Sequence, residues 1–128
     1  MLLATDLDGT FLAGDPEDRL SLYQTIAAHP EIKLAYVTGR SLEAVLPLLA
    51  DPTLPQPDYI IADVGATLVH GDSLQPIQPL QSVVDARWPG ESQVASAIEA
   101  FGLERQDVPQ ARRCSYFCTP EQAANPAL

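Results

Sequence analysis

Leu2-Leu3-Ala4-Thr5-Asp6-Leu7-Asp8-Gly9-Thr10 stands one residue into a chain of 128. The apolar run from Leu2 to Leu7 predicts a buried strand that ends in a polar turn. Working outward, Asp15-Pro16-Glu17-Asp18 predicts a helix start, with Asp15 as N-cap and Pro16 at the first helical position. Leu20, Tyr23, Ile26 and Ala27 then recur at helical spacing, and His29-Pro30 stops the helix. Ile32–Val37 predicts a second apolar strand. Ser41 caps a second helix with Leu42, Val45, Leu46 and Leu49 on one face. Tyr59–Val64 predicts a third strand, reached through Pro52, Pro55 and Pro57. Strands this apolar, alternating with helices, define an α/β fold with a Rossmann-like parallel sheet. Its chemistry belongs at the C-terminal strand ends. Those ends carry Asp6 and Asp8, then Thr38 and Arg40, then Asp63.

The second half has a different rhythm. Thr67–His70 and Leu74–Ile77 predict a hairpin around Gly71-Asp72. Ser92–Phe101 predicts a helix with Val94, Ala97, Ile98 and Phe101 on one face and Gly102 as C-cap. Arg112–Cys118 reads as a strand, and Pro120–Ala124 begins another helix. The division expected is 1–66 for the main sheet and 67–128 for an α+β unit beside it.

Composition narrows the function classes. Asp and Glu total 17 against 7 Lys and Arg, a net charge of −10. With no basic run, the chain is a poor nucleic-acid binder and a poor match for anionic membranes. No apolar run approaches the roughly 20 residues that span a bilayer. The start lacks the positive flank of a signal peptide, so the compartment expected is the cytosol. Cys114 and Cys118 lack the further ligands of a zinc site and read as reduced thiols.

Two stretches carry chemistry. Asp6 and Asp8, two residues apart after a strand, can converge on one pocket. There one carboxylate attacks as nucleophile while the other donates and accepts a proton, and together they offer oxygen ligands to a divalent cation. Gly9 allows the sharp turn, and Thr10 adds a hydroxyl and an amide. In Val37-Thr38-Gly39-Arg40-Ser41, a hydroxyl at a strand end beside a helix start suits a phosphate oxygen. Arg40 can meet a phosphate bidentately or pair with a nearby carboxylate.

With these motifs the sequence resembles the haloacid dehalogenase-like phosphatases, in particular the sucrose-phosphate phosphatase branch. Asp6-Leu7-Asp8-Gly9-Thr10 matches the first motif, and Val37-Thr38-Gly39-Arg40-Ser41 matches the second in that branch's form. Pro57–Ala66 resembles the third strand, and Cys114-Ser115-Tyr116-Phe117 resembles a strand of the cap that covers the site. The resemblance implies that 1–66 is the front of the phosphatase core and 67–128 a partial cap. It implies hydrolysis of a phosphate monoester, such as sucrose 6-phosphate, through an aspartyl-phosphate on Asp6. Asp8 would be the acid and base. Asp6 and the Asp8 carbonyl would be the Mg²⁺ ligands, and Thr38, Gly39, Arg40, Gly9 and Thr10 would surround the phosphate.

The family's lysine and its later acidic pair have no counterpart. Lys33 is the one lysine, at the wrong end of the second strand. Arg112 and Arg113 could supply positive charge if the second half folds over the pocket, and Asp63 could reach a metal, but the arginines read better as solvated strand charges and Asp63 as a turn residue. The sequence thus reads as a phosphatase cut before the return to the core, its first strand an exposed edge and one sheet face bare. It is expected to associate, as a homo-oligomer such as a dimer or with another chain. Two other readings stand beside the enzyme. One is a catalytically incomplete scaffold that binds or self-associates. The other is a receiver-like domain phosphorylated on Asp63, which Asp-Gly-Thr after the first strand argues against.

Overall fold

Asp15 begins the first helix as expected. Its carboxylate accepts from the Glu17 amide at 2.9 Å, and α1 runs Pro16–Ala27. The structure is a computed structural model and describes residues 1–108 and 112–126. β1 (Leu2–Thr5), β2 (Lys33–Val37) and β3 (Tyr59–Ala62) are parallel neighbours in that order. α2 (Leu42–Leu49) connects β2 to β3, and the Ser41 hydroxyl accepts from the Ala44 amide at 3.3 Å to cap it.

β3 is shorter than expected. Asp63 and Val64 take φ of 52° and 58°, which breaks the strand at Ala62 and reverses the chain. β4 (Thr67–His70) therefore returns antiparallel beside β3 and joins the same sheet, in the order β1-β2-β3-β4. The sheet thus continues past residue 66. The hairpin partner Leu74–Ile77 survives as three hydrogen bonds, His70 N to Gln75 O and Ile77 N to Leu68 O, both 2.9 Å, and Leu74 N to His70 O at 3.0 Å, with one bridge from Val69 to Pro76. Proline has no N–H with which to extend it.

The pleat assigns each residue to a face. Leu3 and Thr5, Leu34 and Tyr36, Ile60 and Ala62, and Thr67 and Val69 share one face by register. Tyr23 and Ile26 of α1, Val45 of α2, and Leu7, Phe11 and Leu54 form one core cluster with the apolar residues of that face. In α2 the packed residues are Leu42, Val45, Leu48 and Leu49, whereas Leu46, expected on that face, points outward. On the opposite face only Ala35 is buried, and Leu2 and Ala4 are exposed.

Beyond β4 burial falls off. α3 (Leu80–Asp85), which no sequence pattern announced, docks on β4 through buried Gln81. Its side chain accepts from Leu68 N at 2.7 Å and donates to Ala66 O at 3.2 Å. α4 (Glu91–Glu99) forms where expected but buries no residue. β5 (Glu104–Arg105) pairs with β6 (Tyr116–Phe117), so the strand expected over 112–118 is two residues long. Thr119 and Gln122 form a reciprocal capping box at the start of α5 (Pro120–Ala123). Cys114 and Cys118 are free thiols.

Candidate active site

The loop after β1 is fixed from below. Leu7 and Phe11 are buried, and Phe11 stacks on Tyr23 with ring centroids 4.8 Å apart. The Tyr23 hydroxyl donates to the Phe11 carbonyl at 2.5 Å. With both ends pinned, Asp6 and Asp8 are held at the surface, and Gly9 makes the turn at φ 73°. Among the described residues the Asp6 carboxylate has no hydrogen bond or ion pair, which leaves it open to a ligand.

β2 delivers the second group beside it. Thr38 is buried, and its hydroxyl oxygen accepts from the Arg40 amide at 3.1 Å. Its own O–H has no acceptor among the described residues, so it can donate to an oxygen in the cleft. Arg40 meets Asp8 in a fork, Nε to Oδ2 at 2.8 Å and Nη2 to Oδ1 at 2.5 Å. Of its two expected partners, phosphate or carboxylate, Arg40 here holds the carboxylate. Hydrogen bonding to Arg40 holds the Asp8 carboxyl below its ordinary value, against an opposing effect of burial and with a smaller contribution from the Arg40 charge.

Asp6, Asp8, Gly39, Arg40, Ser41 and Arg113 share a cleft of about 510 Å³. Asp6, Thr38, Gly39, Val64 and Gly65 share a second hollow of about 330 Å³. Asp6 and Gly39 line both, so the expected residues of β1 and β2 meet at one place. Gly9 and Thr10 line neither hollow. An apolar groove between α1 and α2, around Leu20 and Leu48, lies away from these carboxylates.

Arg112 and Arg113 differ from expectation, and Asp63 meets it with one addition. Asp63 is a turn residue, yet it is buried. Its Oδ2 accepts from the Thr67 hydroxyl at 2.6 Å. Arg113 is not a solvated strand charge. Its Nε lies 3.8 Å from Asp63 Oδ1, and its Nη1 donates to the Gly39 carbonyl. Arg112 likewise turns inward, to Asp85 at 2.8 Å and to the Thr67 hydroxyl at 3.3 Å. Arg113 meets the acidic end of β3, and Arg112 the acidic end of α3. The one signal in the sequence was an Arg-Arg pair in a chain with few cations. Lys33 pairs with Asp58 at 2.8 Å, at the far end of β2.

Mg²⁺ commonly takes one or two carboxylates together with substrate phosphate and water. Among the described residues no three His, Cys, Asp or Glu side chains converge as a cage. The open Asp6 carboxylate fits the sparser arrangement, in which phosphate completes the coordination.

A parallel α/β sheet with paired aspartates after β1 and Thr-Gly-Arg after β2 defines a haloacid dehalogenase-like protein. The chain belongs to the sucrose-6F-phosphate phosphohydrolase family, which matches residues 1–127. It is 88% identical over 128 residues to glucosylglycerol-phosphate synthase of Pseudomonas anguilliseptica, covering 100% of this chain and 17% of that protein. It is 38% identical over 71 residues to mannosylfructose-phosphate phosphatase of Agrobacterium fabrum, covering 54% of this chain and 28% of that protein. Among solved structures, the sucrose-phosphatase of Synechocystis in complex with sucrose and phosphate superposes with a TM-score of 0.67 at 26% identity, over 94% of this chain and 50% of that one. The chain therefore spans half or less of the length of each of these relatives. Among the described residues, no helix is long and apolar enough to cross a membrane.

Proposed function

We propose that this chain is the phosphate-handling part of a Mg²⁺-dependent phosphatase that hydrolyses phosphate monoesters of small glycosides in the cytosol. One observation carries the reading. The open Asp6 carboxylate shares a cleft with Asp8, Gly39 and Arg40, and shares the adjoining hollow with Thr38. Asp6 attacks phosphorus and the alkoxide leaves, forming an aspartyl-phosphate. Asp8 gives a proton to the leaving oxygen and later takes one from the attacking water. Thr38 donates its O–H to a phosphoryl oxygen. Arg40 must release the Asp8 carboxylate for Asp8 to carry a proton, and the incoming phosphate is a competing anion for that guanidinium. Asp6 and the Asp8 carbonyl would hold Mg²⁺, which offsets the charge of carboxylates approaching a phosphate dianion. Residues 1–66 supply this chemistry and 67–128 its cover, with β4 extending the sheet between them.

The relatives support this substrate class, since their names concern phosphates of sucrose, mannosylfructose and glucosylglycerol. The body of such a substrate is neutral and rich in hydroxyls. Glucosylglycerol phosphate is the first ester to try and sucrose 6-phosphate the second. Phosphate release is expected with Mg²⁺, absent without it and absent in Asp6→Asn. Equal release by both proteins, or none by either, would overturn the reading.

A specific observation favours a second reading, a scaffold that binds without turnover. The cleft holds no lysine, and no acidic cage forms among the described residues. We further propose that the chain self-associates along β1, an edge strand whose Leu2 is 62% exposed. Light scattering that shows a monodisperse monomer across a concentration series would refute it.

A further inference from the structure

The loop that carries Thr38 and Arg40 is laced to the end of β3. Thr38 N donates to the Ile61 carbonyl at 2.9 Å, Asp63 N to the Arg40 carbonyl at 2.8 Å, and Val64 N to the Thr38 carbonyl at 3.3 Å. The carbonyl between these, that of Gly39, is held instead by Arg113, from 74 residues further along the chain. The Gly39–Arg40 peptide is therefore gripped on both sides. Its oxygen accepts from Arg113 Nη1, and its N–H donates to the Thr38 hydroxyl oxygen at 3.1 Å. A planar peptide points these two groups in opposite directions, so turning one turns the other.

Arg113 is itself held in place. Its side chain is 16% exposed, and its Nε faces Asp63 Oδ1 at 3.8 Å. That oxygen is buried without a hydrogen bond, on a side chain 1% exposed. A buried carboxylate needs a compensating charge, and Arg113 brings one from the second half. The backbone supporting Asp63 is also costly. Two consecutive non-glycine residues adopt left-handed φ, and the second is β-branched. The same turn aims Asp63 inward and leaves Val64 at the rim of the hollow beside Asp6 and Thr38.

We propose that Arg113 is a positioning residue for phosphate: anchored on Asp63, it fixes the Gly39–Arg40 peptide and, through that peptide's N–H, the hydroxyl of Thr38. The proposal rests on the reading of Thr38 as a phosphate ligand. It also gives the second half a task in the first half's chemistry, because closing the cover sets the loop.

The test uses ¹⁵N-labelled chain titrated with inorganic phosphate, with Mg²⁺ present throughout. Variants are Arg113→Met, Arg113→Lys and, as control for loss of one cation, Arg87→Met at an exposed position. In Arg113→Met, before any phosphate is added, the Arg40 amide resonance should move. Phosphate affinity should then fall about tenfold, the scale of one charge-assisted hydrogen bond. Arg113→Lys should lie between, since it keeps a donor and loses the fork. Arg87→Met should match the parent. An Arg40 amide and a phosphate affinity both unchanged in Arg113→Met would overturn the proposal. Should that variant fail to fold, the same two readings on Arg113→Lys decide. If the parent shows no phosphate-dependent shift at Thr38–Arg40, the phosphatase reading fails. Arg113 is then judged by the Arg40 amide alone: a moved resonance supports positioning and an unmoved one refutes it.

Discussion

Asp8, the proposed acid and base, is biased toward its ionised form by one contact, with Arg40. The fork keeps Asp8 ionised, whereas a general acid must carry a proton when its leaving group departs. Because the folded-state pKa is lowered, the pair favours the fold at neutral pH and loses that contribution as pH falls through the lowered value. Asp8 is 58% exposed, so solvent screening keeps the effect on stability small. The effect on charge state is larger. Arg40→Met should raise the Asp8 carboxyl toward its ordinary value, read by a ¹³C NMR titration of side-chain carboxyls. An unshifted Asp8 would mean the fork is absent in solution. Tyr36 is a purely structural contrast. Burial pushes its phenol well above the ordinary value, and its hydroxyl donates to the Pro55 carbonyl at 2.6 Å.

At the scale of elements, the tightest fit is where β4 ends. A Cβ placed on Gly71 would lie 1.8 Å from the Pro57 carbonyl oxygen, a backbone atom that no rotamer change can move. The Gly71 amide donates to the Asp58 carbonyl at 2.8 Å, so the two segments are locked at contact. Gly71→Ala should therefore cost about 3 kcal/mol or more in urea denaturation. Ser41→Ala, which removes only a helix cap, should cost about 1 kcal/mol. Equal effects would show that β4 does not close on β3 in this register. The sequence read Gly71 as a turn glycine and so saw its flexibility rather than its lack of a side chain. Its other successes and misses divide the same way. α1, α2 and the three parallel strands announce themselves through caps, proline and apolar runs, which are local signals. β4's place in the sheet and the docking of α3 through Gln81 depend on a reversal at Asp63-Val64, where β-branched Val64 gives no sign of a positive φ. Asp6, Asp8, Thr38 and Arg40 were legible because strand ends in a parallel sheet share an edge. Arg113 was not, because only tertiary folding returns residue 113 to residue 39.

Across the whole molecule, burial is unequal. Every residue of the core cluster lies between Leu7 and Val69, whereas α4 buries none and both residues of β5 are exposed. Beyond β4 the chain is tied back by polar contacts, Gln81 to Leu68 and Ala66, Arg112 to Thr67, and Arg113 to Asp63 and Gly39. Ties of this kind can open without unfolding the sheet, since local openings require only the free energy of the contacts they break. Amide exchange should therefore be slowest in β2 and β3 and faster by roughly 100-fold or more in α4, β5 and β6. In Arg113→Met the gap should widen on the second-half side alone, with β2 and β3 unchanged. Equal protection in both halves would mean that the chain opens as one unit, and that the cover is bound by more than these arginines. This pattern suits the part that the proposed function gives the second half. On the proposed function, a phosphate ester would enter and leave through such openings, and Arg113 would reset the Gly39–Arg40 peptide each time the second half closes.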